Sequence, residues 1–351
     1  MTLKSSCDRS NFALKLLSLR EPVAKAVSDD CFRLHPEWAV RYGESGRQFC
    51  TADACFHIEF LAGAIQADSP EAFADYARRS AAIMSARGID AQTLEENLAN
   101  LEKYLAPVLL PAEREVVSVF LAQRRKTYAG FDPTLEVQPP DDPLRLTGDI
   151  FLAAILGGQR QAALSTVEEA LQAGASHIDI YADVISESLH SVGALWEQNR
   201  ISVAQEHMAT AVAQYVIAMI YPLLTRPKPY RGTMVVSGVS GEQHQIGANL
   251  VADAMEANGW DVRFLGTNLP QATILSVVEE TSADVLCIST TLIANLPSAA
   301  ELVESVRTRL KDAPRIVLGG AAYRLAPRFP EALGSAEVVL DLRQALTVLC
   351  P

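Results

Sequence analysis

The residues after Pro229 constrain the fold most. Short apolar runs at Thr233–Ser237, Asp261–Leu265, Asp284–Ser289 and Arg315–Leu318, with a fifth at Glu337–Leu340, are separated by helical segments at Ile246–Asn258, Gln271–Ser282 and Ala299–Lys311. Connections of helix length do not make hairpins. Successive strands therefore run parallel, and a parallel sheet needs helices on both faces. This predicts a Rossmann-like domain over 230–351. Ligands on such sheets lie beyond the carboxyl ends of the strands. The loops at that edge are Gly241-Glu242-Gln243-His244-Gln245-Ile246-Gly247 after the first strand, Ser289-Thr290-Thr291 after the third and Gly319-Gly320 after the fourth.

Upstream, 132–143 is a linker: Phe131–Pro143 carries four prolines and four acidic residues, which no regular element tolerates. Between it and the sheet, 144–226 reads as four helices, Gly148–Leu156, Arg160–Gln172, Ser176–Gln198 and Ser202–Leu224, with a capping box at Ser202 and Gln205. Short connections make them an antiparallel bundle. Before the linker, 1–131 is helical throughout. Ser69-Pro70-Glu71 starts a helix, Asp90 caps the next, and Leu94, Leu98, Leu101 and Leu105 recur at helical spacing. About six helices in roughly 130 residues form an all-helical domain whose layout is compatible with a globin-like fold.

Hydrophobic residues make up 49% of the chain, enough for sizeable cores, and the net charge is −12. The acidic balance argues against direct nucleic-acid binding, which needs a basic face. Arg124-Arg125-Lys126 suits a helix C-terminus and needs no nucleic acid. No run is expected to span a membrane, since Gln214 and Pro222 interrupt the most apolar stretch, Met208–Leu224. Without a recognisable export signal or a CxxC pair, the six cysteines are expected as reduced thiols in a cytoplasmic protein.

His244 lies in the loop at the ligand edge. An imidazole nitrogen is a good transition-metal ligand, and Glu242 can fix the tautomer through the other nitrogen. Gly247 lets a bulky group approach the next helix. A loop histidine by itself is more commonly a solvated side chain, and paired glycines are more commonly an ordinary turn. Together, however, E-x-H-x-x-G, the serine–threonine loop and the glycine pair resemble the cobalamin-binding Rossmann-like domain. The resemblance runs from about Arg231 to the C-terminus. It implies that His244 is the lower ligand to cobalt, oriented by Glu242. It also implies that Ser289 and Thr291 contact the displaced benzimidazole tail, and that Gly319 and Gly320 leave room for it.

The bundle extends the resemblance. Trp196 ends its third helix and Glu206-His207 begins its fourth. Read singly, these are a core aromatic and a polar first turn. As W-x9-EH, they resemble light-sensing cobalamin proteins of the CarH type. There a tryptophan, a glutamate and a histidine close over the adenosyl group of adenosylcobalamin, and light breaks the cobalt–carbon bond. Glu242 points the same way, because methyl-carrying corrinoid proteins usually have aspartate there. Two features depart from that type: the helical N-terminal domain replaces a helix-turn-helix, and Glu197 stands where a cobalt-capturing histidine is found. His190 and His207 are unranked substitutes for that histidine.

The overall arrangement resembles the photocobilins, which add a bilin to cobalamin. This would give His57 a place beneath a bilin such as biliverdin. Trp38, Tyr42, Phe49, Phe56, Phe60 and Tyr76 would line its cleft, Arg41 and Arg47 would face its propionates, and Cys50 or Cys55 would be open to a thioether. A haem, or no cofactor with His57 as a core histidine, stays open for this domain. The expected function is a light-sensing signalling protein, not an enzyme, acting as a homo-oligomer or on a protein partner. The alternatives are a corrinoid shuttle of a methyltransferase system and a light-independent cobalamin or redox sensor.

Overall fold

A computed structural model describes residues 6–123, 144–225, 227–228, 230–334 and 337–351. The expected linker 132–143 and the basic run Arg124-Arg125-Lys126 lie outside the described residues.

Among the described residues, six α-helices precede the expected linker: α1 Ser6–Ser18, α2 Arg20–Leu34, α3 Pro36–Gln66, α4 Pro70–Ala86, α5 Ala91–Leu105 and α6 Pro111–Ala122. Their boundaries follow local chemistry. The Ala72 amide donates to Ser69 Oγ at 3.2 Å and the Gln92 amide to Asp90 Oδ1 at 2.9 Å, capping α4 and α5. Gly43, with φ 59° and ψ −155°, kinks α3. The leucine stripe of α5 is fully buried, each side chain contributing about 1.5–3 kcal/mol.

The bundle comprises α7 Arg145–Leu156, α8 Arg160–Gln172, α9 (177–197) and α10 Val203–Ile220. Ser202 and Gln205 form the expected capping box. Within α9, Ile180–Ser186 is π-helical, a local widening that the 3.6-residue pattern of the sequence does not signal.

The sheet is β1 Thr233–Gly238, β2 Asp261–Phe264, β3 Val285–Ser289, β4 Arg315–Gly319 and β5 Glu337–Val339. All pairs are parallel, in the order β2-β1-β3-β4-β5. Helices α11 Ile246–Ala257 and α14 Leu342–Leu349 cover one face, and α12 Gln271–Glu280 and α13 Leu296–Arg309 cover the other. Both faces of the central strands are buried, which explains their unbroken apolar sequence.

The N-terminal helices share one continuous core with the α12/α13 face of the sheet. That core runs from Phe12, Leu61 and Phe73 to Val235, Ile274 and Leu302. Gly63 marks a close approach: a Cβ there would fall 2.0 Å from the Ile293 carbonyl oxygen, so only glycine lets α3 seat on the turn after β3. On the other side, the bundle packs on α11 through Leu250 and Ala254.

Candidate functional site

Strands β1 and β3 are neighbours, but the helices that follow them leave to opposite faces, opening a crevice at the carboxyl edge. Glu242 sits in that crevice, fully buried. Its Oε1 accepts from the His244 amide at 2.9 Å and from His244 Nδ1 at 2.6 Å. Its Oε2 accepts from the amides of Thr291 and Leu292 at 2.7 and 3.4 Å, and from Asn295 Nδ2 at 3.1 Å. Burial opposes the charge, but the donors of His244 and Thr291 outweigh it and hold the carboxyl down at about 2. This carboxylate therefore pins the β1 loop to the β3 loop. In the neutral imidazole, a proton on Nδ1 toward Glu242 leaves the lone pair on Nε2, and the His244 side chain is 54% exposed. That nitrogen is free to meet a metal.

The floor of the crevice is equally specific. Thr290 is buried, its amide donates to the Gly319 carbonyl at 2.8 Å, and its Oγ1 accepts from the buried Tyr323 hydroxyl at 3.2 Å. Gly320 has φ 113°, and a Cβ on it would fall 2.3 Å from the Thr290 carbonyl oxygen. A Cβ on Gly247 would meet open space. Ser289 and Thr291 are half-buried on either side of Thr290. Asn295 and Tyr323 are not legible as site residues in the sequence: Asn295 follows β3 and Tyr323 follows β4, and their partners Glu242 and Thr290 lie 53 and 33 residues away.

Trp196, Glu206 and His207 flank the turn between α9 and α10, so they share one end of the bundle. Trp196 is half-buried beneath Arg87, the residue capping the carboxyl end of α4, whose guanidinium carbon lies 4.9 Å from the indole centroid. Glu206 accepts from Thr210 Oγ1 at 3.1 Å and pairs with His207, which is exposed. Glu197 pairs with Arg79, and His190 is exposed near Glu187.

In the N-terminal helices the expected cleft residues divide. His57 is buried, its Nδ1 2.6 Å from the Tyr76 hydroxyl, and burial pushes its pKa down to about 4. Phe60 stacks on Tyr76, and Trp38 stacks on His35. Tyr42, Phe49 and Phe56 are exposed on α3. Arg41 lies over the Tyr42 ring, and Arg47 pairs with Asp29. Cys55 is a free, half-buried thiol, and Cys50 lies 3.9 Å from Asn97 Oδ1.

Residues 232–346 match the family model described as a B12 binding domain, and residues 149–221 match a second B12 binding domain model. It is a cobalamin-binding protein. Among proteins similar to this cobalamin-binding chain is methionine synthase of Mycobacterium tuberculosis, 29% identical over 171 residues; the match covers 48% of this chain but only 14% of the synthase. A corrinoid protein of Desulfitobacterium hafniense is 22% identical over 172 residues, covering 48% of this chain and 80% of its own. Dimethylamine corrinoid protein 3 of Methanosarcina acetivorans is 23% identical, with 48% and 79% covered. The monomethylamine corrinoid protein of Methanosarcina barkeri shares the fold, with a TM-score of 0.52 at 21% identity over 58% of this chain and 97% of that one. Among the described residues of the cobalamin-binding protein, no helix is long and apolar enough to cross a membrane.

Proposed function

We propose that this cobalamin-binding protein is a light sensor taking adenosylcobalamin, with output through a protein partner or a change in self-association and no turnover of its own. His244 would hold cobalt through Nε2, because Glu242 occupies Nδ1. Ser289 and Thr291 would contact the benzimidazole tail. Gly319 and Gly320 would leave it space, and Gly247 would admit the macrocycle. A bound adenosylcobalamin would supply a cobalt–carbon bond that visible light cleaves.

The observation that carries the sensor reading is the shared position of Trp196, Glu206 and His207 at one end of the bundle, with Trp196 held from outside by the N-terminal helices. Trp196 would pack on the adenosyl group, and Glu206 and His207 would offer it polar contacts. Loss of that group would shift the bundle toward a second arrangement. The test is an absorption spectrum of protein reconstituted with adenosylcobalamin in the dark, before and after green light, with the released nucleoside identified. Bleaching with release of an adenosine-derived product is expected. An adenosyl spectrum that survives light sufficient to bleach the free cofactor refutes the reading.

A second reading, a corrinoid shuttle of a methyltransferase system, is supported by the corrinoid relatives, of which the chain covers about four fifths. It requires methyl as the preferred upper ligand. The bilin proposal rests on the exposed rings of Phe49 and Phe56, one face of α3 beside the buried His57. It predicts a red-absorbing band when the protein is produced with biliverdin, and fails if added biliverdin does not bind.

A further inference from the structure

The bundle is held to the rest of the molecule on two flanks. On the sheet side, the buried Tyr181 hydroxyl donates to Asp253 Oδ2 at 3.0 Å, Tyr221 donates to Glu256, and Arg343 spans Asp179 and Asp183 at 2.8 and 2.5 Å. On the other flank the contacts converge on the carboxyl end of α9. The last carbonyls of a helix lack i+4 amide partners within it; here the Trp196 carbonyl accepts from the Asn199 amide at 3.0 Å, and Arg87 adds a further donor. Its Nη2 donates to the Trp196 carbonyl at 3.2 Å and its Nη1 to the Glu197 carbonyl at 3.4 Å, while Nη1 also reaches the Ile83 carbonyl of its own helix at 3.1 Å. The same guanidinium lies over the Trp196 ring. Arg79 pairs with Glu197, and Asn199 Nδ2 donates to the Ala86 carbonyl at 3.1 Å.

One planar cation thus grips both the backbone and the ring of Trp196, which a lysine ammonium, a single point charge, does not reproduce. The other end of this linkage is firm. Helix α3 seats on Ile293 through Gly63, and Ser69 Oγ at the start of α4 donates to the Leu325 carbonyl at 3.0 Å. The N-terminal helices therefore bridge from the loops around Glu242 to the tip of the bundle.

We propose that Arg87 is a positioning residue for Trp196, and that through it the N-terminal helices latch the bundle and set selectivity for the upper ligand of cobalamin. The selectivity part rests on the reading of Trp196 as the residue facing that ligand; the latch does not.

The test uses the full chain with 5-fluorotryptophan at its three tryptophans, first without cofactor. In fluorine NMR, Arg87→Ala shifts the Trp196 resonance and leaves those of Trp38 and Trp260 in place, while Arg87→Lys restores the shift only in part. An unmoved Trp196 resonance overturns the latch. Dark affinities for adenosylcobalamin and methylcobalamin are then compared. Arg87→Ala lowers the adenosyl preference by about three-fold or more, and adds nothing in a Trp196→Ala background. If Trp196→Ala itself leaves the preference unchanged, the upper-face reading fails and the selectivity claim with it. If Trp196→Ala changes the preference and Arg87→Ala does not, the upper-face reading stands and the control by Arg87 is refuted.

Discussion

Replacing Glu242 by glutamine keeps its shape but gives one end of the side chain hydrogens. The carboxylate accepts from two donors of His244 on Oε1, and from Thr291, Leu292 and Asn295 on Oε2. If the amide nitrogen turns toward the β3 loop, two backbone amides that cannot rotate away lose their acceptor, at about 1–3 kcal/mol each. If it turns toward His244, only the His244 amide is stranded, because the ring can shift its proton and let Nδ1 accept. The second arrangement costs about half as much and should prevail. It places the proton on Nε2, the nitrogen proposed to hold cobalt. Glu242→Gln is therefore expected to lose about 1–3 kcal/mol of stability in denaturant unfolding of the cofactor-free protein. Cobalamin affinity should fall about 10–100-fold in absorbance titrations, and nitrogen NMR of the imidazole should report the changed tautomer. Stability within about 0.5 kcal/mol of wild type, together with unchanged affinity, would refute the reasoning.

Other outcomes follow from single contacts. His57 stays neutral in the fold, its pKa lowered from 6.5 to about 4, so the unfolded chain binds the extra proton between those values. Stability from this group is complete above pH 6.5 and falls by about 3 kcal/mol as the pH drops to 4. Unfolding curves of wild type and His57→Phe should diverge across that window, and parallel curves would count against a buried neutral His57. Gly320→Ala forces a Cβ against the Thr290 backbone at a positive φ, and should cost at least about 2 kcal/mol in thermal or denaturant unfolding. Tyr181→Phe removes a buried hydrogen bond to Asp253, with an expected loss of about 1–3 kcal/mol. An unchanged midpoint would mean that this contact does not hold the bundle to α11.

Much of this molecule follows from rules that reach only a few residues along the chain. Caps at Ser69, Asp90 and Ser202 act within three residues, and the α5 leucines repeat within one turn. A parallel sheet also sends every strand to the same edge, so the amino-acid sequence alone placed His244, Ser289 and Gly320 at one rim. Glu242 beside His244 was legible for the same reason, since the two are only two residues apart. Spatial partners from distant segments were not legible. The three further donors to Glu242 come from 49 to 53 residues away, and the Arg87 contact to Trp196 spans 109. The aromatic residues of α3 show the limit most directly: at similar spacing, Phe60 packs on Tyr76 while Phe49 and Phe56 stay exposed. Helical periodicity states which side chains share a face, whereas the packing of other elements decides which face is covered. Only the tertiary structure joined the N-terminal helices to the sheet core and to the tip of the bundle, because that contact depends on surface shape rather than on order along the chain.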